Sequence, residues 1–111
     1  MGLDESVIQE IVRRILAVAH PDKIILFGSA ATGQMTPDSD IDLLIIEPDP
    51  GDARQEGVRI SAALTGFKHP VDVKVVSTEW FEDSKDVIGG IAYPANKYGK
   101  VIYETSRPGT T

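Results

Sequence analysis

Two apolar runs constrain this chain more than any other feature. Lys23 to Phe27 (KIILF) and Ile41 to Ile46 (IDLLII) each read as a strand, and the stretch Gly28 to Asp42 (GSAATGQMTPDSDID) joins them. The first run has no polar interruption, as expected for a strand covered on both faces. It ends on Gly28-Ser29, and the second run begins at Asp40 and Asp42. Residues two apart in a strand face the same side, so the two carboxylates converge on one point. Like charges so close are unfavourable unless a cation lies between them. The simplest stable arrangement is a divalent metal, and Mg2+ suits one or two carboxylates together with phosphate oxygens.

Gly28 lets the backbone come close to a ligand. The hydroxyl of Ser29, with the exposed N–H groups of a following helical turn, would make a phosphate cradle. A plain strand-to-helix turn capped by Ser29 is the alternative, and the spacing to Asp40 and Asp42 favours the phosphate. Ala30 to Thr32 is the expected short helix, with Gly33 as its stop. Gln34 to Ser39 reads as a turn in which Asp38 is a turn residue.

At this point the sequence resembles a family. Gly-Ser, ten residues, then Asp-x-Asp is similar to the signature of the DNA-polymerase-beta-like nucleotidyltransferases. By composition alone, four such fixed residues turn up in roughly one chain in a thousand of this size. The length resembles that of the minimal nucleotidyltransferase branch, and the likeness covers about residues 7 to 104. That branch usually continues with a third aspartate on a later strand, which here is Asp72 in VDVKVVS. Many relatives carry arginine close to or directly before the glycine that ends the short helix, where this chain has Thr32.

The resemblance implies an α/β (α+β) fold, a small mixed sheet flanked by helices. It implies nucleotidyl transfer with ATP as co-substrate and two Mg2+ ions. Asp40 and Asp42 would bridge the ions, Asp72 would join them, and Gly28 and Ser29 would hold the triphosphate. Relatives of this kind are commonly antitoxins that attach AMP to a HEPN-family RNase toxin. The expected activity is therefore a protein adenylyltransferase acting on such a partner. The competing readings are an antitoxin that binds nucleotide but neutralises by contact alone, a plain nucleotide sensor, and an enzyme modifying a small molecule such as an aminoglycoside.

Composition agrees with a nucleotide rather than a nucleic-acid ligand. A net charge of −6 opposes binding to a phosphate backbone. The absence of cysteine leaves oxygen ligands, or His20 and His69, for any metal. A hydrophobic fraction of 41% and a charged fraction of 25% are those of a soluble protein, with no apolar run of membrane-spanning length. The acidic start MGLDESVIQE is unlike a signal peptide, so the expected location is cytoplasmic. At 111 residues the expectation is one domain over residues 1–105 with a disordered tail over 106–111.

Periodicity marks the remaining elements. Val7, Ile8, Ile11, Val12, Ile15, Leu16 and Ala19 indicate an amphipathic helix over Asp4 to Ala19, capped by Asp4 or by a Ser6–Gln9 box, with Arg13 and Arg14 as solvated surface. Pro21 ends it. Glu47 to Gly51 reads as a loop. Asp52 with Gln55 caps a helix over Ala53 to Thr65, whose narrow apolar face is Val58, Ala62 and Leu64, with Gly66 as its stop. A strand over Val71 to Ser77 places Asp72 and Lys74 on one face, where Lys74 either neutralises phosphate or lies along the surface. Glu79 to Asp86 is a helix capped by Ser77 or Thr78. Gly89-Gly90 and Pro94 interrupt the stretch from Val87 to Tyr98, and Lys100 to Glu104 is a short strand or docked tail. Trp80, Tyr93, Tyr98 and Tyr103 are expected in the core.

Overall fold

The computed structural model describes residues 3–105, so the tail expected over 106–111 lies outside the described residues. In chain order the elements are α1 (Glu5–Val18), β1 (Lys23–Phe27), α2 (Ser29–Thr32), β2 (Ile41–Glu47), α3 (Ala53–Ala63), β3 (Val71–Ser77), α4 (Thr78–Ser84), α5 (Ala92–Tyr98) and β4 (Lys100–Glu104). The strands form one sheet in the order β3-β2-β1-β4. β1 runs antiparallel to both β2 and β4, and β2 runs parallel to β3. The parallel pair requires a crossover, which α3 supplies. This is the expected small mixed sheet with flanking helices, and Lys100–Glu104 is a true strand.

The central strands carry the apolar runs because each is covered twice. Ile24, Leu26, Ile41, Leu43 and Ile45 face α1 and α3, in a core with Ile8, Ile11, Ile15, Ile60 and Leu64. Ile25, Leu44 and Ile46 face the other way, onto Phe81, Ala92 and Ala95 of α4 and α5. β3 is an edge strand, and its residues accordingly alternate between partly buried valines and exposed Asp72 and Lys74.

α1 begins at Asp4 as N-cap, although the Asp4 side chain makes no capping hydrogen bond. Arg14 is more than solvated surface: it donates to Glu10 and to the Thr65 carbonyl at 2.7 Å and lies over the Phe67 ring. Asp52 caps α3 by accepting from the N–H groups of Arg54 and Gln55. Ser77 caps α4 through the Trp80 N–H. Pro94 fits in the first turn of α5, where no intrahelical donor is required of it.

Three expectations are corrected. The buried residue of α3 is Ile60; Leu64, just past the helix end, is buried as expected, while Val58 is 67% exposed. Gly57 lies one turn before Ile60, and a Cβ there would stand 3.7 Å from Val75, so a glycine belongs to the sheet-facing stripe and weakens its apolar signal. Trp80 and Tyr98 are exposed, because Phe81 and Ala95 take the inward positions of α4 and α5. Glu47, expected to open a loop, is the last residue of β2 and is buried. No helix among the described residues is long and apolar enough to cross a membrane.

Candidate active site

Strand directions bring the motif residues together. Because β1 and β2 are antiparallel, the end of β1 lies beside the start of β2, and Phe27 pairs with Asp42. Because β2 and β3 are parallel, the start of β3 falls at that same end, and Asp42 pairs with Asp72. Gly28, Asp42 and Asp72 therefore meet at one end of the sheet although up to 44 positions separate them in sequence. Neighbouring strands stand about 4.8 Å apart, within reach of two carboxylates sharing one cation. Ile41 anchors the start of β2 by donating its N–H to the Pro70 carbonyl at 2.8 Å.

Asp42 shares a strand face with buried Leu44 and Ile46, so it stands on the α4–α5 face of the sheet. Burial raises its carboxyl above the usual carboxylate range, and the charges of Asp72 and then Asp40 add to that rise. Lys74 opposes it. Asp42 thus feels two further carboxylates at this end of the sheet, an electrostatic setting that favours a cation. Asp40 itself is exposed and lies one residue before β2. Asp72 is half-exposed, and Lys74 Nζ stands 3.5 Å from its Oδ2. Among the described residues no three carboxylate, histidine or cysteine side chains are already gathered around a point as metal ligands. The donor set nevertheless suits a hard divalent ion, since it consists of carboxylate oxygens with unfavourable mutual charge.

Gly28 is fitted to Asp42. Its backbone (φ 72°, ψ −154°) lies in a region open almost only to glycine, and a Cβ there would come within 2.5 Å of Asp42 Oδ2. The turn after Gly28 is tight. The Gly28 carbonyl accepts from the N–H groups of Ala31 and Thr32, and the Ser29 carbonyl accepts from that of Gln34 at 3.1 Å. Helix α2 starts at Ser29 itself and stops at Gly33 in the left-handed conformation. The Thr32 hydroxyl folds back within reach of the Gly28 and Ser29 carbonyls, at 3.5 and 3.4 Å.

Asp38 is a turn residue as expected, its N–H donating to Thr36 Oγ1. His69, noted in the sequence only as a possible ligand, holds the site's edge instead. Its Nδ1 is 3.0 Å from the Ser39 carbonyl, joining the loop before β3 to the residue preceding Asp40. Its position just before β3 was the only hint. A cavity of about 420 Å³ lined by Leu3, Val7, Met35, Ile41, Phe67 and His69 opens beside α1, and none of the three aspartates lines it.

A mixed sheet of this topology with a glycine-serine turn facing paired aspartates defines a nucleotidyltransferase fold. Residues 6–104 match the nucleotidyltransferase domain family, and the chain belongs to that family. Among curated proteins no relative was found. Of solved structures, a protein of Sulfolobus solfataricus provisionally assigned as a nucleotidyltransferase is similar at TM-score 0.58 and 20% identity, over 94% of this chain and 92% of that one. A toxin–antitoxin structure with AMP-PNP contains a chain similar at TM-score 0.56 and 23% identity, over 93% of this chain and 75% of that one. At such identities the likeness is one of fold.

Proposed function

We propose that this protein is a Mg2+-dependent nucleotidyltransferase that moves AMP from ATP to a hydroxyl of a protein partner, and that it acts as the antitoxin of a HEPN-family RNase toxin. The observation carrying this reading is the register of Asp42 with Asp72 at the end of the sheet where Gly28 approaches the Asp42 carboxylate. Asp40, Asp42 and Asp72 are the residues that would hold the metal. Bound there, Mg2+ would supply charge neutralisation for the triphosphate and a lowered pKa for the attacking hydroxyl. Gly28 offers the triphosphate a backbone without a side chain, and Ser29 offers its hydroxyl and N–H, so that the α-phosphorus lies in line with the acceptor oxygen. The acceptor hydroxyl gives up its proton to solvent as its oxygen bonds to the α-phosphorus, and the bond from that phosphorus to the oxygen bridging to the β-phosphate breaks, so that pyrophosphate leaves. The similar chain found in a toxin–antitoxin structure with AMP-PNP supports both the nucleotide and the kind of partner.

A second reading, neutralisation by contact with nucleotide bound but not transferred, is favoured by Thr32. Its short hydroxyl turns back onto the α2 carbonyls, at a place where many members of the resembled family carry an arginine. Incubation with Mg2+, the partner toxin and ATP labelled at the α- or γ-phosphate separates the two. Label arriving on the partner only from the α-position, and lost with Asp42→Asn, establishes transfer. Neutralisation that survives Asp42→Asn with no label transferred establishes contact.

A further inference from the structure

Lys74 is a cation beside the aspartates that the motif does not account for. It follows Asp72 by two residues on β3 and therefore shares its face. Its ammonium reaches back along the strand to Asp72 Oδ2, 3.5 Å away, with both side chains about half exposed. Among the described residues it is also the cation whose charge is felt at Asp42. Five other cations are engaged elsewhere: Arg13 and Arg14 with Glu10, Arg59 with Glu56, Lys85 with Glu82, and Lys23 with Glu104 at the far end of β1. On α2, Thr32 contributes no charge to the phosphate side of the site.

We infer that Lys74 is a two-position counter-ion, paired with Asp72 before metal arrives and moved to the nucleotide's phosphates once metal replaces it there. This rests on the nucleotidyltransferase reading and supplies a counter-charge for phosphate that Thr32 on α2 does not. Lys74 and a divalent ion compete for the same carboxylate oxygen, so each displaces the other. Three carboxylates and a triphosphate outweigh two divalent ions in charge, so a released ammonium on a flexible four-carbon arm finds its best partner in the phosphates beside it. Leu44, the register neighbour of Lys74 on β2, is fully buried under α4 and α5. The lysine therefore swings along the open edge of the sheet, where half exposure leaves it room.

The test is binding, read without turnover. Mn2+ affinity is measured by titration calorimetry and electron paramagnetic resonance for the wild type, Lys74→Met, Lys74→Arg and Asp42→Asn. Affinity for a non-hydrolysable ATP analogue is then measured at saturating Mn2+. Lys74→Met is expected to bind Mn2+ about fivefold more tightly without nucleotide, and the analogue about tenfold more weakly. Lys74→Arg is expected to keep analogue affinity within about threefold of wild type, since it keeps the charge. Unchanged Mn2+ affinity or unchanged analogue affinity in Lys74→Met overturns the inference about Lys74. If the wild type binds no Mn2+, or Asp42→Asn binds it equally well, the metal reading beneath it fails as well.

Discussion

A Cβ built on Gly28 would stand 2.5 Å from Asp42 Oδ2, so the residue that follows β1 determines where the β2 carboxylate can lie. Gly28→Ala meets two penalties. The backbone at φ 72° and ψ −154° costs a non-glycine residue about 1–3 kcal/mol, and the carboxylate must rotate away. Since the clashing atom ends a side chain, the fold survives while the site is lost. The expected outcome is a lower Tm together with at least a tenfold loss of Mn2+ affinity, measured by denaturation and by metal titration. An alanine variant with wild-type metal affinity would separate Gly28 from the site. Gly33→Ala is the contrast: it shares a positive φ but meets nothing within 4 Å, so it should cost stability without altering metal binding.

Asp42→Asn should leave the protein at least as stable as the wild type. Burial and the charges of Asp72 and Asp40 all disfavour the ionised Asp42 carboxylate in the fold. Removing that charge relieves an electrostatic cost in the fold, and a gain of about 0.5–1 kcal/mol is expected in metal-free buffer. Chemical denaturation with and without Mg2+ checks this. A variant clearly less stable than wild type in the absence of metal would show that Asp42 serves the fold.

Glu47 makes stability depend on pH near neutrality. It is 5% exposed, its Oε2 has no hydrogen-bond partner, and it faces Glu56. Burial first, and Glu56 second, push its carboxyl up to about 7, with Arg59 opposing the rise. An unfolded glutamate titrates near ~4.3, so the fold accommodates the neutral form. The stability it contributes is complete below about pH 4.3 and is lost as pH rises through about 7. Glu56 is shifted downward, chiefly by its hydrogen bond to Arg59, and acts in the opposite sense in acid. Glu47→Gln should flatten the decline between pH 5 and 8 and raise stability at pH 8 by about 1–3 kcal/mol. Parallel stability profiles for the two proteins would show that Glu47 does not titrate in this range.

Gly99 joins α5 to β4 where the chain has no room. A Cβ there would collide with the Ala95 carbonyl oxygen, would come within 2.5 Å of Ile25 Cγ2, and would stand 3.1 Å from the Leu26 carbonyl oxygen. Two of those atoms are backbone and cannot rotate aside. Gly99→Ala should cost about 2–3 kcal/mol although its backbone conformation is an ordinary one. Urea denaturation reads it directly, and a cost below about 0.5 kcal/mol would contradict the packing of α5 on β1.

The face of α3 is tested by a pair of truncations. Ile60 is fully buried against the sheet and Val58 is 67% exposed. Ile60→Ala should cost about 2–4 kcal/mol and Val58→Ala less than about 0.5 kcal/mol. The reverse order would restore the face that hydropathy alone suggests.

The sequence by itself determined the strands, the turn and the identity of the candidate residues. KIILF and IDLLII are long apolar runs, and burial on two faces is the only way a short chain can use them. The spacing of Gly28, Ser29, Asp40 and Asp42 is local, so it is legible before any folding. Alternation in VDVKVVS likewise placed Asp72 and Lys74 together, and the 3.5 Å ion pair agrees. Apolar counting failed where the inward surface is made of residues that do not look apolar. Gly57 obscured the buried stripe of α3, Phe81 and small alanines displaced Trp80 and Tyr98 from the core, and a carboxylate stands buried at Glu47. Only the tertiary structure decided that β1 meets β2 antiparallel and β3 meets β2 parallel. Strand pairing is non-local, and nothing in the spacing of one segment fixes its direction against another. That pairing is what brings the end of β1 and the starts of β2 and β3 to one end of the sheet, and so gathers three separated residues into one candidate site.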